Sequence, residues 1–252
     1  MIEHILPLIP PHKKYVEPFA GGAAVFFAKR PSSVEVLNDI NGNLANFYRV
    51  MKLDFENLHR LVDATLHDEH TYKRARNIYR GKTAATDVER AWAVWVAAAM
   101  SFGGNFFTHF QITCKAADKS NPGIHTRNKR IEFKKAAHRL ESTMILEKDA
   151  ITVLQKFDQA DSFVYCDPPY VNMYQGHYAG YTRKEYLKLL CILSRFKGKF
   201  LLSSYDTEVL QWFAKRYGWQ QKSFEQRLGV KGTKQRKVEI LTYNYNIELT
   251  LF

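Results

Sequence analysis

A buried strand that stops abruptly at two prolines is the feature that most constrains this chain. The β-prone run Ser162-Phe163-Val164-Tyr165-Cys166 leads directly into Asp167-Pro168-Pro169-Tyr170. Neither proline can donate a backbone hydrogen bond, and the first one biases Asp167 toward extended backbone. Because ligands bind at the carboxyl ends of strands in open α/β sheets, the pattern predicts a carboxylate, a rigid turn and an aromatic ring at such an edge. A plain strand end with a core tyrosine is the alternative that these four residues leave open.

Size and charge limit the classes of protein to which the chain can belong. Its 252 residues, 46% of them hydrophobic, suffice for one large α/β domain or for a core with an inserted subdomain. Lys and Arg outnumber Asp and Glu by 37 to 25, which gives a formal net charge of +12. Such an excess favours a polyanionic partner, most often nucleic acid.

The cysteines indicate a reducing compartment, and the first residues do not resemble a signal peptide. Cys114, Cys166 and Cys191 are odd in number and far apart, so they fit neither a disulfide framework nor a zinc site. No run of about 18 apolar residues is present, and Met1-Ile2-Glu3-His4 lacks the basic segment of a signal peptide. We therefore expect a cytoplasmic protein that needs no metal and does not enter a membrane.

A strand, a glycine turn and a helix follow one another near the N-terminus. Residues 15–19 are β-prone, Ala20-Gly21-Gly22 forms the turn, and residues 23–29 have a helical composition. This is the layout of a nucleotide-binding βα unit, in which glycines let the backbone approach a ligand. The spacing is not GxGxxG, which disfavours a dinucleotide, and a glycine turn without a ligand is the alternative.

An acidic residue ends the second predicted strand. Residues 34–37 are β-prone and run into Asn38-Asp39, about 20 residues after the glycine turn. A carboxylate at this place usually holds the diol of a ribose. Asp39 could instead cap a helix predicted over residues 44–52. The glycine turn upstream favours the ribose.

The alternation of strands and helices stops between residues 54 and 142. Helices are predicted over 58–66 and 72–79, and a capping box of Thr86 and Glu89 begins a third, apolar helix. The densest basic segment of the chain follows, and a second basic stretch forms a predicted hairpin tip. A solvated helix face would explain the first, but its place inside an insertion favours contacts with phosphates. The candidate phosphate-binding residues are Arg127, Lys129, Arg130, Lys134, Lys231, Lys234 and Arg236.

Strands and helices alternate again from residue 143, which predicts an α/β fold. A second capping box, Thr182 with Glu185, begins one of the helices. The predicted strands cover 143–147, 162–166, 199–204, 220–228 and 237–245, and the predicted helices cover 151–157, 183–193 and 208–217. Three features then share the carboxyl edge of one sheet: the glycine turn, Asp39 and Asp-Pro-Pro-Tyr. No GxxxxGK[ST] loop, GxSxG elbow or histidine cluster is present to indicate a kinase, a hydrolase or a metal site.

The combination resembles the S-adenosylmethionine-dependent amino-group DNA methyltransferases, and more narrowly the Dam-type N6-adenine enzymes. Phe19-Ala20-Gly21-Gly22 is similar to the family's cofactor turn, Asp39 to its ribose-holding acid, and Asp167-Pro168-Pro169-Tyr170 to its catalytic motif. The order also matches over nearly the whole chain: cofactor motif, helical insertion, catalytic motif. The resemblance implies a Rossmann-like methyltransferase sheet with helices on both faces, a catalytic domain in 1–53 and 143–252, and a mostly helical target-recognition subdomain in 54–142.

The resemblance also implies the roles of individual residues. Asp167 and the Pro168 carbonyl would accept hydrogen bonds from the amino group of an adenine, and Tyr170 would stack on that base after it leaves the duplex. Double-stranded DNA is the implied substrate, S-adenosylmethionine the methyl donor and S-adenosylhomocysteine the product, with no metal. The implied cofactor-binding residues are Glu17, Phe19, Ala20, Gly21, Gly22, Asp39, Ile40, Asp149, Ala150 and Asp167.

One departure from the family pattern concerns the N-terminus. Members usually carry a Gly-Gly-Lys-type segment that contacts the cofactor's carboxylate, and residues 1–14 contain none. A truncated start, a substituting residue and weak cofactor binding are the three explanations. The competing functions are a methyltransferase that acts on cytosine N4, on RNA or on a protein glutamine amide, and a nucleic-acid-binding protein with an inactive methyltransferase fold. Aspartate at position 167 and the basic insertion favour adenine in DNA.

Overall fold

The computed structural model describes residues 1–101, 106–110, 133–169, 181–227 and 236–247. The strands are β1 Lys14–Glu17, β2 Val34–Asn38, β3 Met144–Leu146, β4 Ser162–Cys166, β5 Lys199–Tyr205, β6 Gln220–Arg227 and β7 Arg236–Tyr243. The helices are α1 Ile2–Ile5, α2 Ala24–Ala28, α3 Gly42–Leu53, α4 Phe55–Asp63, α5 Glu69–Tyr79, α6 Asp87–Met100, α7 133–140, α8 Ala150–Lys156, α9 Arg183–Leu193 and α10 Glu208–Tyr217, with a 3-10 turn at Leu6–Leu8.

The seven strands form one mixed sheet in the order β3-β2-β1-β4-β5-β7-β6. β1 pairs in parallel with both β2 and β4, and β4 pairs in parallel with β5. β7 runs antiparallel to both β5 and β6, so the predicted pairing of the two C-terminal strands is confirmed. The predicted α/β fold, a Rossmann-like methyltransferase sheet with helices on both sides, is confirmed as well.

The central strands are buried on both faces. All five residues of β4 are buried, and so are the last three of β1, because helices cover a mostly parallel sheet from both sides. This explains why β4 reads as a continuous apolar run rather than as an alternating one. The first proline ends the strand where Asp167 leaves the sheet.

Short-range capping signals begin two of the helices as the sequence predicts. The side chain of Thr86 accepts a hydrogen bond from the backbone N–H of Glu89. The carboxylate of Glu89 in turn accepts one from the backbone N–H of Thr86. Thr182 and Glu185 form the same reciprocal pair at the start of α9. Both capping boxes are therefore confirmed, since the motif depends only on residues three positions apart.

The described residues fall into two compact units. One comprises residues 1–40, 148–169, 181–227 and 236–247, and the other comprises 41–101, 106–110 and 133–147. The described residues of the predicted insertion, 54–142, lie within the second unit, which begins earlier because α3 belongs to it. The side chain of Asn46 on α3 donates a hydrogen bond to the backbone oxygen of Asp87 at the start of α6, 2.8 Å away.

Helix α6 forms the core of the second unit. Nine of its residues are buried, including Trp92 and Trp95. The indole N–H of Trp92 donates to the hydroxyl of Thr65 at 2.7 Å, so this buried polar atom is satisfied. Helix α7 presents Phe133, Ala137 and Leu140 as its buried face and leaves Lys134, Lys135 and His138 exposed. Within the described ranges, no helix is long and apolar enough to cross a membrane.

Candidate active site

The sheet order places a topological switch between β1 and β4. Strand β1 has two neighbours in the sheet. One is β2, the next strand in the chain, and the other is β4, which comes much later in the chain. At such a point the connecting helices leave in opposite directions and open a crevice at the carboxyl ends of the strands. Val16 is level with Val164, so Glu17 and the glycine turn lie at the same edge as Asp167.

The glycine turn after β1 is held from the end of β2. The backbone N–H of Ala20 donates to the oxygen of Asn38 at 2.8 Å, and that of Gly21 donates to Oδ2 of Asp39 at 2.8 Å. Gly21 has a φ of 48°, in the left-handed region that glycine adopts without strain. A Cβ built on either Gly21 or Gly22 would meet no atom of the described residues within 4 Å. As far as these residues show, the turn therefore borders open space in which a ligand can approach the backbone.

The helix after the turn begins one residue later than predicted. Ala23 precedes α2 with a φ of 49°, and its N–H donates to the oxygen of Ala20 at 2.6 Å. Its left-handed backbone is incompatible with the first turn of a helix, so α2 covers only Ala24–Ala28. The tight turn displaces the helical start that the alanine-rich composition indicates.

Asp39 does not cap the helix that follows it. That helix, α3, begins at Gly42, and its N-cap is Asn41, whose side chain accepts from the N–H of Asn43 at 3.1 Å. The alternative reading of Asp39 as an N-cap is therefore wrong, and its carboxylate instead holds the glycine turn. Asp39 is 2% exposed, while the next residue, Ile40, is 64% exposed although it is apolar.

Asn38 is a site residue that the sequence analysis missed. Its side-chain amide is 1% exposed and donates to the oxygens of Pro18 and Lys148, at 2.8 and 2.9 Å. Its side-chain oxygen accepts from the N–H of Lys148 at 3.0 Å. One side chain thus ties together the segments that carry Phe19, Asp39 and Asp149. No local motif marks this role, because its partners are 20 and 110 residues away.

Asp149 lies at the start of α8 as its N-cap. Its Oδ1 accepts from the backbone N–H groups of Ile151 and Thr152, at 3.0 and 3.2 Å. Asp149 is exposed and Ala150 is buried. These two capping bonds explain the position of the Asp149 carboxylate. The contact of Asp149 and Ala150 with a cofactor stays a prediction.

Glu17 is a buried acid at the end of β1. It is 1% exposed, accepts a hydrogen bond from the hydroxyl of Tyr15 at 2.5 Å, and accepts another from the backbone N–H of Phe26. Burial raises the pKa of Glu17 to about 8, and the nearby Asp167 adds to this rise, while Lys29 opposes it. Glu17 is therefore largely protonated at neutral pH in the free protein.

Asp167 lies half-buried immediately after β4, and Pro168 behind it is buried. Burial and, to a smaller extent, the carboxylate of Glu239 on β7 together raise the pKa of Asp167 to about 7. A carboxyl group with this pKa exchanges its proton near neutral pH, which is unusual for aspartate and typical of functional sites. Tyr170, the last member of the motif, lies outside the described residues.

An aromatic pair closes one side of the same edge. Phe19 and Tyr181 meet edge to face, with their ring centroids 6.2 Å apart. Tyr181 is partly buried, and its environment raises the pKa of its hydroxyl, mainly through burial and then through the proximity of Cys166. The sequence analysis did not assign Tyr181 to the site. Its contact with Phe19 places it at the glycine turn.

Comparison with known proteins identifies the family. The model of the D12 class N6 adenine-specific DNA methyltransferases matches residues 1–244. The chain belongs to this family. It is similar to the type II methyltransferase M1.LlaDCHI of Lactococcus lactis subsp. cremoris, at 25% identity over 97% of this chain and 91% of the relative. It is also similar to the type II methyltransferase M.MjaIII of Methanocaldococcus jannaschii, at 26% identity over 92% of this chain and 89% of the relative.

A third relative carries adenine methylation in its name. The retron Ec67 DNA adenine methylase of Escherichia coli is 27% identical over 81% of this chain and 72% of the relative. As a member of this family, the chain is an adenine-specific DNA methyltransferase that acts on N6. Membership implies that S-adenosylmethionine is the methyl donor and that the target base is flipped out of the duplex. The predicted resemblance to Dam-type N6-adenine enzymes is confirmed.

Most of the predicted DNA-binding residues of the methyltransferase lie outside the described ranges. These are Arg127, Lys129, Arg130, Lys231 and Lys234. Arg236 begins β7, with its side chain undescribed, and Lys134 is exposed on α7. Their contacts with DNA therefore stay predictions. Among the described side chains, no group of three or more His, Cys, Asp and Glu is arranged to hold a metal ion.

Proposed function

We propose that the methyltransferase holds S-adenosylmethionine against the glycine turn and the end of β2. The observation that carries this proposal is the bond from the Gly21 N–H to Asp39, which fixes a turn bordered by open space at Gly21 and Gly22. Such a turn admits the methionine part of the cofactor, and the Asp39 carboxylate suits the ribose diol. The exposed Ile40 offers an apolar surface for the adenine ring. Glu17, Phe19, Ala20, Asp149, Ala150 and Asp167 complete the proposed cofactor site.

The catalytic group in this proposal is the Asp167 carboxylate, with the Pro168 carbonyl as its partner. An exocyclic adenine amine is a poor nucleophile because its lone pair is delocalised into the ring. Two acceptors on its two hydrogens localise the lone pair and stabilise the positive charge that nitrogen gains in the transition state. Bound S-adenosylmethionine supplies the electrophilic methyl group on its sulfonium. Tyr170 stacks on the flipped base and offsets part of its unstacking cost.

The raised pKa of Asp167 suits this role. A half-buried carboxylate is poorly hydrated, so it forms a stronger hydrogen bond with an amino group than a solvated one does. A pKa of about 7 also lets Asp167 accept the proton that the methylated nitrogen must lose. A cationic cofactor close to Glu17 and Asp167 favours the ionised form of both groups.

The DNA-binding surface in this proposal consists of the basic residues of the predicted insertion and of the segment that connects β6 and β7. Phosphate contacts from lysine and arginine supply most of the sequence-independent affinity of DNA-binding proteins. Double-stranded DNA with the target adenine flipped out is the proposed substrate. Residues 54–142 serve as the target-recognition subdomain.

Calorimetric titration with S-adenosylmethionine tests the cofactor site. Gly22 is exposed, and a Cβ there meets no atom of the described residues, so we expect a Gly22→Leu variant to fold but to fill the proposed space. We expect the wild type to bind, Gly22→Ala to bind more weakly, and Gly22→Leu not to bind. Equal affinity in all three proteins would place the cofactor elsewhere. Absence of binding in the wild type would favour an inactive methyltransferase fold.

A further inference from the structure

A second buried carboxyl group lies on the same face of the sheet as Asp167. In the parallel register of β4 and β5, Tyr165 is level with Leu201. In the antiparallel register of β5 and β7, Ser203 is level with Leu241 and Tyr205 with Glu239. Because alternate residues of a strand share a face, these side chains all point to one side.

Asp167 continues that face beyond the end of β4. It stands two positions after Tyr165, and the proline after it favours extended backbone. Glu239 is 3% exposed and is level with Tyr205, which stands two residues after Ser203 on β5. The two carboxyl groups are therefore on one side of the sheet, across the single intervening strand β5.

The intervening strand places a hydroxyl between them. Ser203 on β5 is fully buried on the shared face, and its Oγ makes no hydrogen bond to another residue that the structure describes. A buried serine hydroxyl costs free energy when it has no partner, and this hydroxyl lies on the face that Asp167 and Glu239 share. Glu17, on β1, belongs to the same face, since Tyr15 is level with Phe163.

We propose that Glu239 is a positioning residue for Asp167: its buried carboxylate on β7 keeps the Asp167 carboxylate a strong hydrogen-bond acceptor and proton acceptor toward the adenine amino group. The inference rests on the catalytic role proposed for Asp167. Glu239 does not touch the substrate in this role but acts through its negative charge. Among the described residues, the titratable groups on this face near Asp167 include Glu17 on β1, Tyr165 on β4, Tyr205 on β5 and Glu239 on β7, and Cys166 precedes Asp167 in the chain.

The proton transfer that this arrangement favours is balanced. After methylation the amino nitrogen carries a positive charge and two hydrogens. One N–H bond breaks, its electron pair stays on nitrogen, and the proton joins the Asp167 carboxylate to form a carboxylic acid. That acid returns the proton to water when the site opens. Glu239 promotes the step because a neighbouring negative charge increases the proton affinity of Asp167.

The test is an infrared titration of the protein without cofactor or DNA. Subtracting the spectrum of Asp167→Asn from that of the wild type isolates the carboxyl band of Asp167. In Glu239→Gln, which keeps the size of the side chain, we expect this band to titrate about one pH unit lower. Glu239→Asp keeps the charge and should shift it less. An Asp167 band that titrates at the same pH in all three proteins would overturn the proposal.

A kinetic measurement separates positioning from a structural role. At saturating cofactor and DNA, Glu239→Gln should lower the single-turnover rate roughly tenfold and move the acidic limb of its pH profile to lower pH. Thr242→Val is the matched control: Thr242 is buried on the opposite face of β7 and accepts a hydrogen bond from Gln221 at 3.2 Å. It should leave the pH profile in place. An equal displacement of the profile in both variants would show that Glu239 acts only on the fold.

If Asp167→Asn retained its rate, the proposed function of the site would fail while the infrared titration would still report whether the two carboxyl groups are coupled. The two failures are therefore distinguishable.

Discussion

Two neighbouring parts of the same crevice use acidic and amide side chains in opposite ways. On the cofactor edge, which comprises residues 18–22 and 38–40, Asn38 and Asp39 are buried and hydrogen-bonded to backbone groups. In the carboxyl row, which comprises Glu17, Asp167 and Glu239, burial and mutual proximity raise the pKa of Glu17 to about 8 and that of Asp167 to about 7. The first arrangement satisfies buried polar groups, whereas the second makes ionisation of its carboxyl groups unfavourable in the free protein. The difference separates the residues that hold the segments in place from those to which we assign roles in the chemistry.

The largest expected effect of a single substitution is a loss of methylation rate when Asp167 of the carboxyl row is replaced. Asp167→Asn replaces one acceptor oxygen by a donor, so the amino group of adenine loses the charge that stabilises its transition state. We expect the single-turnover rate to fall by roughly 10²–10³-fold. Asp39→Asn, on the cofactor edge, should instead weaken cofactor binding by about tenfold, since it loses a charged acceptor for the Gly21 N–H. Identical rate and affinity profiles in the two variants would remove the distinction.

A substitution on the cofactor edge should lower the free energy of unfolding. Asn38→Ala leaves the backbone groups of Pro18 and Lys148 without their three hydrogen bonds to the amide, so unfolding should become easier by roughly 2–4 kcal/mol. Urea denaturation measures this loss. Asn46→Ala is the control, because Asn46 is also buried but makes one such bond, to Asp87. An equal loss in both variants would mean that the Asn38 network contributes nothing special.

The carboxyl row should show a stability change of the opposite sign. The pKa of Asp167 is about 7 in the folded protein and about 4 in an unfolded chain, so the folded state binds more protons between these values. The contribution of Asp167 to stability therefore declines as pH rises from about 4 to about 7 and levels off above. Asp167→Asn lacks this contribution and should be more stable than the wild type by on the order of 2 kcal/mol at pH 8, with little gain at pH 4. A variant that is less stable than the wild type at pH 8 would contradict the raised pKa.

Cofactor affinity should increase with pH for the same reason. Binding of a cation lowers the pKa of Asp167 and of Glu17, so protons are released, and affinity should rise severalfold between about pH 6 and pH 8. Calorimetry in buffers of different ionisation enthalpy measures the proton release. Asp167→Asn should lose much of this dependence. A pH-independent affinity in the wild type would indicate that the sulfonium binds away from the carboxyl row.

The smallest effects concern the basic surface. Replacing Lys129 and Arg130 with glutamine should weaken DNA binding severalfold and reduce the slope of log affinity against log salt by about 2. The change should be nearly independent of DNA sequence, because phosphate contacts carry no base information. Lys73→Gln is a matched control, since Lys73 pairs with Glu69 on the surface of α5. An unchanged slope in the double variant would place the DNA surface elsewhere.

Features that depend on nearby residues could be predicted from the sequence. The capping boxes of Thr86 and Thr182, the end of β4 at Asp167 and the glycine turn all follow from motifs of three to five residues. Boundaries were less accurate where tertiary contacts decide them. The left-handed Ala23 delays α2, and Asn41 rather than Asp39 caps α3.

Features that depend on the sheet could not be predicted. Asn38 gains its role from partners that only the order of strands brings close, and Glu239 comes onto the face of Asp167 through the register of β5 with β7. The raised pKa values of Glu17 and Asp167 likewise follow from burial, which a sequence shows only as a tendency. The resemblance to a family predicted the reacting group, and the fold shows what surrounds that residue.

The most direct test of the central claim is a single turnover with isotopically labelled S-adenosylmethionine and long duplex DNA, followed by digestion and nucleoside analysis. The wild type should place the label on N6 of adenine, and Asp167→Asn, at saturating cofactor, should place almost none there in the same time. Label on N4 of cytosine, no labelled nucleoside from the wild type, or equal labelling by the two proteins would contradict the assignment of Asp167 as the group that activates the adenine amine.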